Sequence, residues 1–67
     1  MKTKSAIEYR SAPYYYTTTI PAGTPVTPAS NLPQGGWWVG LWEGISDQDA
    51  AWQRNYGFLV TDEEVIE

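Results

Sequence analysis

Acidic side chains are the residues of this chain with the clearest capacity for chemistry. They form two groups, Asp47 with Asp49 and Asp62 with Glu63 and Glu64. Paired carboxylates can transfer protons or bind hard cations. The Asp-Gln-Asp segment lacks the glycine and the distal glutamate of a calcium loop, and the second group is typical of a solvated helix start. We therefore expect no metal site.

Other catalytic patterns are missing from the sequence. The 67 residues contain no histidine and no cysteine, so no serine has an imidazole to activate it. No lysine follows Lys4, which excludes a glycine-rich phosphate loop that ends in lysine. A chain of this length also has little room for a cleft. We expect neither an enzyme nor a bound cofactor.

Aromatic side chains are the remaining candidates, and three of the four tryptophans lie within residues 35–44, GGWWVGLWEG. Glycine disfavours a helix here, while aromatic and branched residues favour a central strand. Alternation divides this strand into one face with Trp37, Val39 and Leu41 and another with Trp38, Gly40 and Trp42. The first face suits the core. The second would expose two neighbouring indoles, which predicts a binding face.

The predicted binding residues are aromatic anchors and nearby acids. They are Trp38, Trp42, Trp52, Tyr15, Glu43, Asp47 and Asp49. Two alternatives stay open at this point. Residues 1–11 or the proline-rich segment could cover the tryptophan face, or the two faces could be reversed.

The net charge of −4 bears on the partner. A phosphate backbone would be repelled, so we expect no duplex DNA. The same charge suits a basic protein surface, although ordinary solubility also accounts for it. A small protein-interaction module is the first hypothesis, with a protein partner. A module that stacks a sugar or an unpaired base on tryptophan is the second, and a structural subunit or homo-oligomer is the third.

Hydropathy gives an expectation for location. No run of about 18 apolar residues occurs, and residues 1–9 lack the apolar stretch of a signal peptide. We expect a cytoplasmic protein that does not contact a membrane.

Two further strands are predicted. Residues 14–20, YYYTTTI, are all strand-favouring, and Tyr14, Tyr16, Thr18 and Ile20 should face inward. Residues 54–61, RNYGFLVT, form the other strand and should pair with the tryptophan strand. Five prolines between positions 13 and 33 exclude a central strand in that region, so residues 24–34 form an edge segment or a rigid loop.

Two helix starts are also predicted. Ser46 with Asp49 could cap one helical turn, although a wide hairpin loop fits equally well. Thr61 followed by three acids predicts a short helical turn before a last strand at Val65 and Ile66.

These elements predict an all-β fold of about five short strands, as a small barrel or a strongly bent antiparallel sheet. Residues 1–11 would form a flexible or edge arm, and residues 12–67 the single domain. The predicted core comprises Ile20, Val26, Trp37, Val39, Leu41, Phe58, Val60 and Val65.

The segment YGFLVTDEEV at 56–65, a strand followed by an acidic turn and a closing strand, resembles the C-terminal end of small SH3-like barrels. Similar endings occur in compact uncharacterised proteins of phages and prophages. The resemblance covers mainly residues 45–67 and transfers no functional residue. It implies an SH3-like barrel and a phage or prophage origin. The protein-interaction module of the first hypothesis would then act on a host protein.

Overall fold

The computed structural model describes residues 1–11 and 15–67. Over these ranges the chain forms short strands, one α-helix and one 3₁₀ turn. In chain order they are β1 (Lys2–Thr3), β2 (Ile7–Ser11), β3 (Tyr16–Ile20), β4 (Val26–Pro28), β5 (Trp37–Val39), α1 (Asp47–Asn55), β6 (Leu59–Val60), the 3₁₀ turn (Asp62–Glu64) and β7 (Val65–Ile66).

The strands build three small antiparallel sheets, β1-β7, β2-β3 and β4-β5-β6. The prediction of a mostly-β chain with a short helical segment is therefore confirmed. A closed barrel is not formed by the part of the chain that the structure describes. The three sheets instead share a core that lies between them and α1.

The hairpin of β2 and β3 agrees with the predicted alternation. Ile20 is fully buried, and Tyr16 and Thr18 are half-buried, whereas Thr17 and Thr19 face solvent. The inward face of the predicted strand 14–20 is thus confirmed from residue 16 onward. Tyr14 lies outside the described residues.

The first residues of the chain contact two distant segments, β7 and the residues just before β4. In β1, Lys2 pairs with Ile66 of β7 and also forms an isolated bridge with Pro25. Thr3 is buried; its hydroxyl donates to the Pro21 carbonyl at 2.8 Å and accepts the Thr24 N–H at 3.0 Å. Residues 1–11 therefore contribute two paired strands, β1 and β2.

The proline-rich segment contains an edge strand, which was one of the two interpretations of residues 24–34. In this strand, β4, Val26 pairs with Val39 and Pro28 pairs with Trp37. Because β4 lies at the edge of its sheet, the missing N–H of Pro28 need not interrupt a central ladder. On the other side β5 pairs with β6, as predicted for the tryptophan strand.

Residues 46–57 differ most from the sequence prediction. The segment after Ser46 is a nine-residue helix, and its last residues, Arg54 and Asn55, had been assigned to a strand. That strand covers only Leu59–Val60, so the prediction for 54–58 is wrong. The predicted cap itself is confirmed, because Ser46 Oγ accepts the Asp49 N–H at 3.0 Å.

The core contains most of the predicted residues. Its buried members are Ile20, Val26, Val39, Phe58, Val60 and Val65, and Trp37 packs against them. Leu41 is 59% exposed, so its placement in the core was wrong. The Gly40 N–H still donates to the Pro25 carbonyl at 2.8 Å, in register with the pairing of β4 and β5. Proline has no N–H to return this bond, and β5 ends at Val39, so the alternation does not extend to Leu41.

Candidate functional site

The structure separates the two tryptophans that were predicted to share a binding face. Trp38 lines one surface depression and Trp42 lines another. The alternation Trp38, Gly40, Trp42 does not extend past Val39, where β5 ends. Each tryptophan therefore has its own surroundings.

Trp37 belongs to the folded core at the start of β5. Its side chain packs against the core cluster, and its indole N–H donates to Asp62 Oδ1 at 2.7 Å. This bond joins β5 to the 3₁₀ turn. Trp37 therefore anchors β5, the strand that also carries Trp38.

Trp38 lies directly over the end of α1. A Cβ added to Gly57 would lie 2.8 Å from Cζ3 of the indole and 2.9 Å from Cε3. Only glycine permits this approach, and the φ of +81° at Gly57 also favours glycine. The indole N–H donates to Asn31 Oδ1 over a long 3.4 Å. One edge of the indole is thus fixed against the backbone at Gly57.

The last turn of α1 supplies the other wall of this depression. Tyr56 caps the helix: its N–H donates to the Trp52 carbonyl at 2.8 Å, and its ring centroid is 4.5 Å from that of Trp52. Tyr56 is nevertheless 60% exposed. Arg54, in the same turn, is exposed. Tyr56 is therefore fixed in place by its backbone bond and its ring contact, while its side chain and that of Arg54 remain exposed to solvent.

We name this depression the Trp38 pocket. It has a volume of about 250 Å³ and is lined by Trp38, Val39, Gln53, Arg54, Asn55, Tyr56 and Gly57. Gln53 Nε2 donates to the Val39 carbonyl at 3.3 Å, which ties the helix wall to the strand wall. The pocket therefore has two walls from different elements that contact each other.

Trp42 packs inward. Its ring centroid lies 5.8 Å from that of Phe58, at an interplanar angle of 43°. Leu41 and Glu43 on either side of it are exposed, and with Trp42 they line a shallow depression of about 280 Å³ against residues 21–25. A Trp42 truncation would consequently disturb the core as well as this surface.

Trp52 and Asp49 connect α1 to the hairpin. The Trp52 ring stacks on that of Tyr16, with centroids 4.2 Å apart and an interplanar angle of 8°. The Asp49 carboxylate accepts hydrogen bonds from the hydroxyls of Tyr16 and Thr18. Burial, and then the hydrogen bond to Asp49 and its negative charge, raise the pKa of Tyr16 to about 12.

The remaining predicted residues are more dispersed. Tyr15, just before β3, is 81% exposed, and Asp47 is exposed in the first turn of α1. Within residues 1–11 and 15–67, no three acidic residues come together as a metal-binding group. The acids predicted for binding are thus divided between places: Asp49 contacts Tyr16 as Trp52 does, and Glu43 lies beside Trp42.

Sequence reasoning missed Arg54 and Tyr56. Both had been placed in the strand predicted for residues 54–61. A signal for the helix was present: Ser46 precedes a first turn rich in aspartate, Arg54 lies in the last turn, and Gly57 follows. Glycine just beyond a basic last turn is typical of a helix C-terminus.

Comparison with known proteins identified no relative of this chain. No protein-family model, no curated protein and no solved structure matches the chain. Among the described residues, no helix has the length and apolar character needed to cross a membrane.

Proposed function

We propose that the protein is a small protein-interaction module that binds its partner through the Trp38 pocket. The observation that carries this proposal is the composition of the pocket lining. Trp38, Arg54 and Tyr56 represent the three residue types that dominate the binding energy of protein interfaces. They come together at one accessible helix end.

The size and shape of the pocket suit one side chain of a partner rather than a large ligand. A volume of about 250 Å³ is below the usual range for small-molecule sites, roughly 300–1,000 Å³. An apolar or aromatic side chain placed between Trp38 and Tyr56 would bury aromatic surface on both sides. The guanidinium of Arg54 would then donate hydrogen bonds to a carbonyl or carboxylate of the same partner segment.

Charge favours a partner with a basic surface around that anchor. The chain carries a net charge of −4, and complementary fields increase association rates between proteins. The apolar anchor would supply affinity, and the surrounding charge would supply orientation and speed. Rising salt should accordingly slow association more than it speeds dissociation.

The test begins with capture of a partner from a bacterial lysate, followed by affinity measurements with the purified partner. Tyr56→Ala should weaken binding by about tenfold or more, which is the effect expected of a hot-spot residue. Tyr15→Ala is the matched control, since Tyr15 is also an exposed tyrosine. It should change affinity by less than about twofold.

Trp38→Ala and Trp42→Ala complete the comparison. Trp38→Ala should abolish capture, and because the indole packs on Gly57 it should also lower the melting temperature. Trp42→Ala should lower the melting temperature because its ring contacts Phe58. If Tyr56→Ala and Trp38→Ala both bind with the affinity of the unsubstituted protein, the proposed pocket is not the binding site.

A second candidate is a module that stacks a sugar or an unpaired base on Trp38. The observation in its favour is that polar side chains of Gln53, Arg54 and Asn55 line the same pocket as Trp38 and Tyr56. Aromatic stacking beside planar hydrogen-bonding groups suits both ligands. Glucose or a short single-stranded oligonucleotide should then change tryptophan fluorescence, and Trp38→Ala should abolish that change.

The relationship to small SH3-like proteins of phages and prophages is part of the proposal. The succession of β6, the 3₁₀ turn and β7 over residues 59–66 supports it. The three open sheets do not supply further support. A phage-encoded protein that acts on a host protein would fit a small binding module of this composition.

A further inference from the structure

Strand β2 presents a free edge that suits a second copy of this chain. Its five residues, Ile7–Ser11, pair with β3 in a two-stranded sheet, and no other strand among residues 1–11 and 15–67 joins that sheet. Along such an edge, every second residue directs its backbone N–H and C=O groups away from the paired strand. These groups can form a ladder with an added strand.

The side chains of β2 alternate in a regular way. Glu8 and Arg10 are exposed on one face, while Ile7, Tyr9 and Ser11 are half-buried on the other. The Tyr9 ring contacts Phe58 edge to face, with centroids 4.9 Å apart. Because Phe58 is fully buried, this contact fixes the strand to the core. The edge is therefore held in an extended conformation before any partner arrives.

We propose that two copies of the chain associate by antiparallel pairing of β2 with β2, about a two-fold axis at Tyr9. In this register Tyr9 of one copy lies opposite Tyr9 of the other. Glu8 of each copy then lies directly opposite Arg10 of its mate. The result is a four-stranded sheet in the order β3-β2-β2-β3.

Charge complementarity is the reason for choosing a second copy as the occupant. The antiparallel register at Tyr9 brings together two opposite-charge pairs, and such cross-strand pairs are stabilising. Parallel pairing in register would instead oppose Glu8 with Glu8 and Arg10 with Arg10, which is destabilising. An isologous two-fold contact also closes on itself, so it gives a dimer rather than a fibre.

Charged residues on an edge strand can also serve to prevent association. The two explanations differ in their response to reversal of the charges. If the charges only protect the edge, Glu8 and Arg10 can be exchanged without effect on a monomer. If they pair across the two-fold axis, single reversals must disrupt a dimer and the double reversal must restore it.

The experiment is sedimentation equilibrium of the whole chain over a concentration series that reaches the millimolar range. The unsubstituted protein should show a monomer–dimer equilibrium. E8R and R10E should each raise the dissociation constant of the dimer by about tenfold or more, because two attractive pairs become two repulsive ones. The double variant E8R/R10E should return to within about threefold of the original value.

This set of variants contains its own control for net charge. E8R makes the chain less acidic and R10E makes it more acidic, while the double variant keeps the original net charge. A general effect of repulsion between acidic molecules would therefore move the two single variants in opposite directions. Circular dichroism and melting temperature would verify that each variant is folded, as expected for two exposed positions.

Amide hydrogen exchange provides a second measurement. Alternate amides within β2 should exchange more slowly as protein concentration rises, whereas those facing β3 should not change. The inference is overturned if the chain is monomeric throughout the series. It is equally overturned if a dimer forms whose dissociation constant is insensitive to E8R and R10E. The inference does not rest on the proposed function, because it involves β2 and not the Trp38 pocket.

Discussion

Gly57→Ala tests the contact between the end of α1 and Trp38. The substitution adds one methyl group at a position where φ is +81° and where the new Cβ would lie 2.8 Å from the indole. Both features are unfavourable, and each has a separable cost. The positive φ imposes a cost on the backbone, and the close approach of the new Cβ imposes a cost on the packing of the Trp38 indole.

The magnitude follows from these two contributions. A left-handed conformation costs a residue with a Cβ about 1–2 kcal/mol relative to glycine. An extra methyl in a filled space costs roughly 1–3 kcal/mol more, because the indole must move. The sum is about 2–5 kcal/mol. A domain of this size has a free energy of unfolding of about 3–10 kcal/mol, so the loss should be large.

Gly44→Ala is the matched control in a urea or thermal unfolding experiment. Gly44 has a φ of +82°, but an added Cβ there would meet no atom within 4 Å. It should therefore lose only the backbone contribution, about 1–2 kcal/mol. The difference between the two variants isolates the contact with Trp38.

A double-mutant cycle makes the comparison stricter. In a Trp38→Ala background the indole is gone, and Gly57→Ala should cost no more than Gly44→Ala. Equal losses for Gly57→Ala and Gly44→Ala in the unsubstituted chain would refute the packing of Trp38 on Gly57. The two-walled pocket described above would then also be incorrect.

Three further predictions concern the core and the link between α1 and the hairpin. Phe58→Ala should cost about 3–5 kcal/mol, because Phe58 is fully buried; an unchanged melting temperature would contradict its place in the core. The pKa of Tyr16 is raised because the folded state favours the neutral phenol over the phenolate. The resulting stability is complete below an unfolded pKa of about 10, is lost as pH rises through about 12, and should be seen in unfolding curves across this window. Asp49→Asn should lower the pKa of Tyr16 but leave it above its ordinary value, since burial is the larger cause; an absorbance titration of the phenol would measure it, and no change would exclude the contact with Asp49.

The elements that sequence predicted correctly depend on local chemistry. The caps at Ser46 and Thr61 were found because a side-chain oxygen and the backbone it serves are three residues apart. Ser46 Oγ accepts the N–H of Asp49, and the Thr61 N–H donates to Glu64 Oε1 at 3.0 Å. The 3₁₀ turn that follows Thr61 is confirmed for the same reason. The last strand, β7, is also confirmed, but it forms by pairing with β1.

The errors arose where distant parts of the chain decide the outcome. Leu41 was expected in the core because the alternation of β5 was extended through Gly40. The residue paired with Gly40 is Pro25, in another part of the chain; it accepts the Gly40 N–H but has no N–H to return, and β5 ends at Val39. Periodicity within the segment carries no information about that contact.

The helix end was missed for a different reason. Tyr56, Phe58 and Val60 alternate with other residues, which predicts a strand, and the final part of this segment does form β6. Arg54 and Asn55, at the start of this segment, instead belong to the last turn of α1. Gly57 follows the helix, and its N–H donates to the Trp52 carbonyl at 3.1 Å. Residues 54–60 thus contain both the end of a helix and the start of a strand. The alternation typical of a strand hides the signal for the helix end.

The candidate site could be predicted only in part, because its walls come from separate elements. Trp38 was identified from the tryptophan strand, but Tyr56 reaches it only after α1 has formed and ended. The two walls are held together by the bond from Gln53 to the Val39 carbonyl and by the Val39 N–H, which donates to the Phe58 carbonyl at 2.9 Å. The residue pattern within β5 or within α1 alone does not predict these bonds between them.

If the Trp38 pocket binds a partner as proposed, this arrangement links that binding to the stability of α1. A ligand that contacts both Trp38 and Tyr56 binds only when the last turn of the helix is formed, so binding must stabilise that turn by mass action. Conversely, because the bonds of Val39 already hold the walls in place, little ordering is needed when the ligand arrives. Amide exchange at Tyr56 and Gly57 should therefore slow when the pocket is occupied. The exchange of β2 amides, which lie outside the pocket, should remain the same.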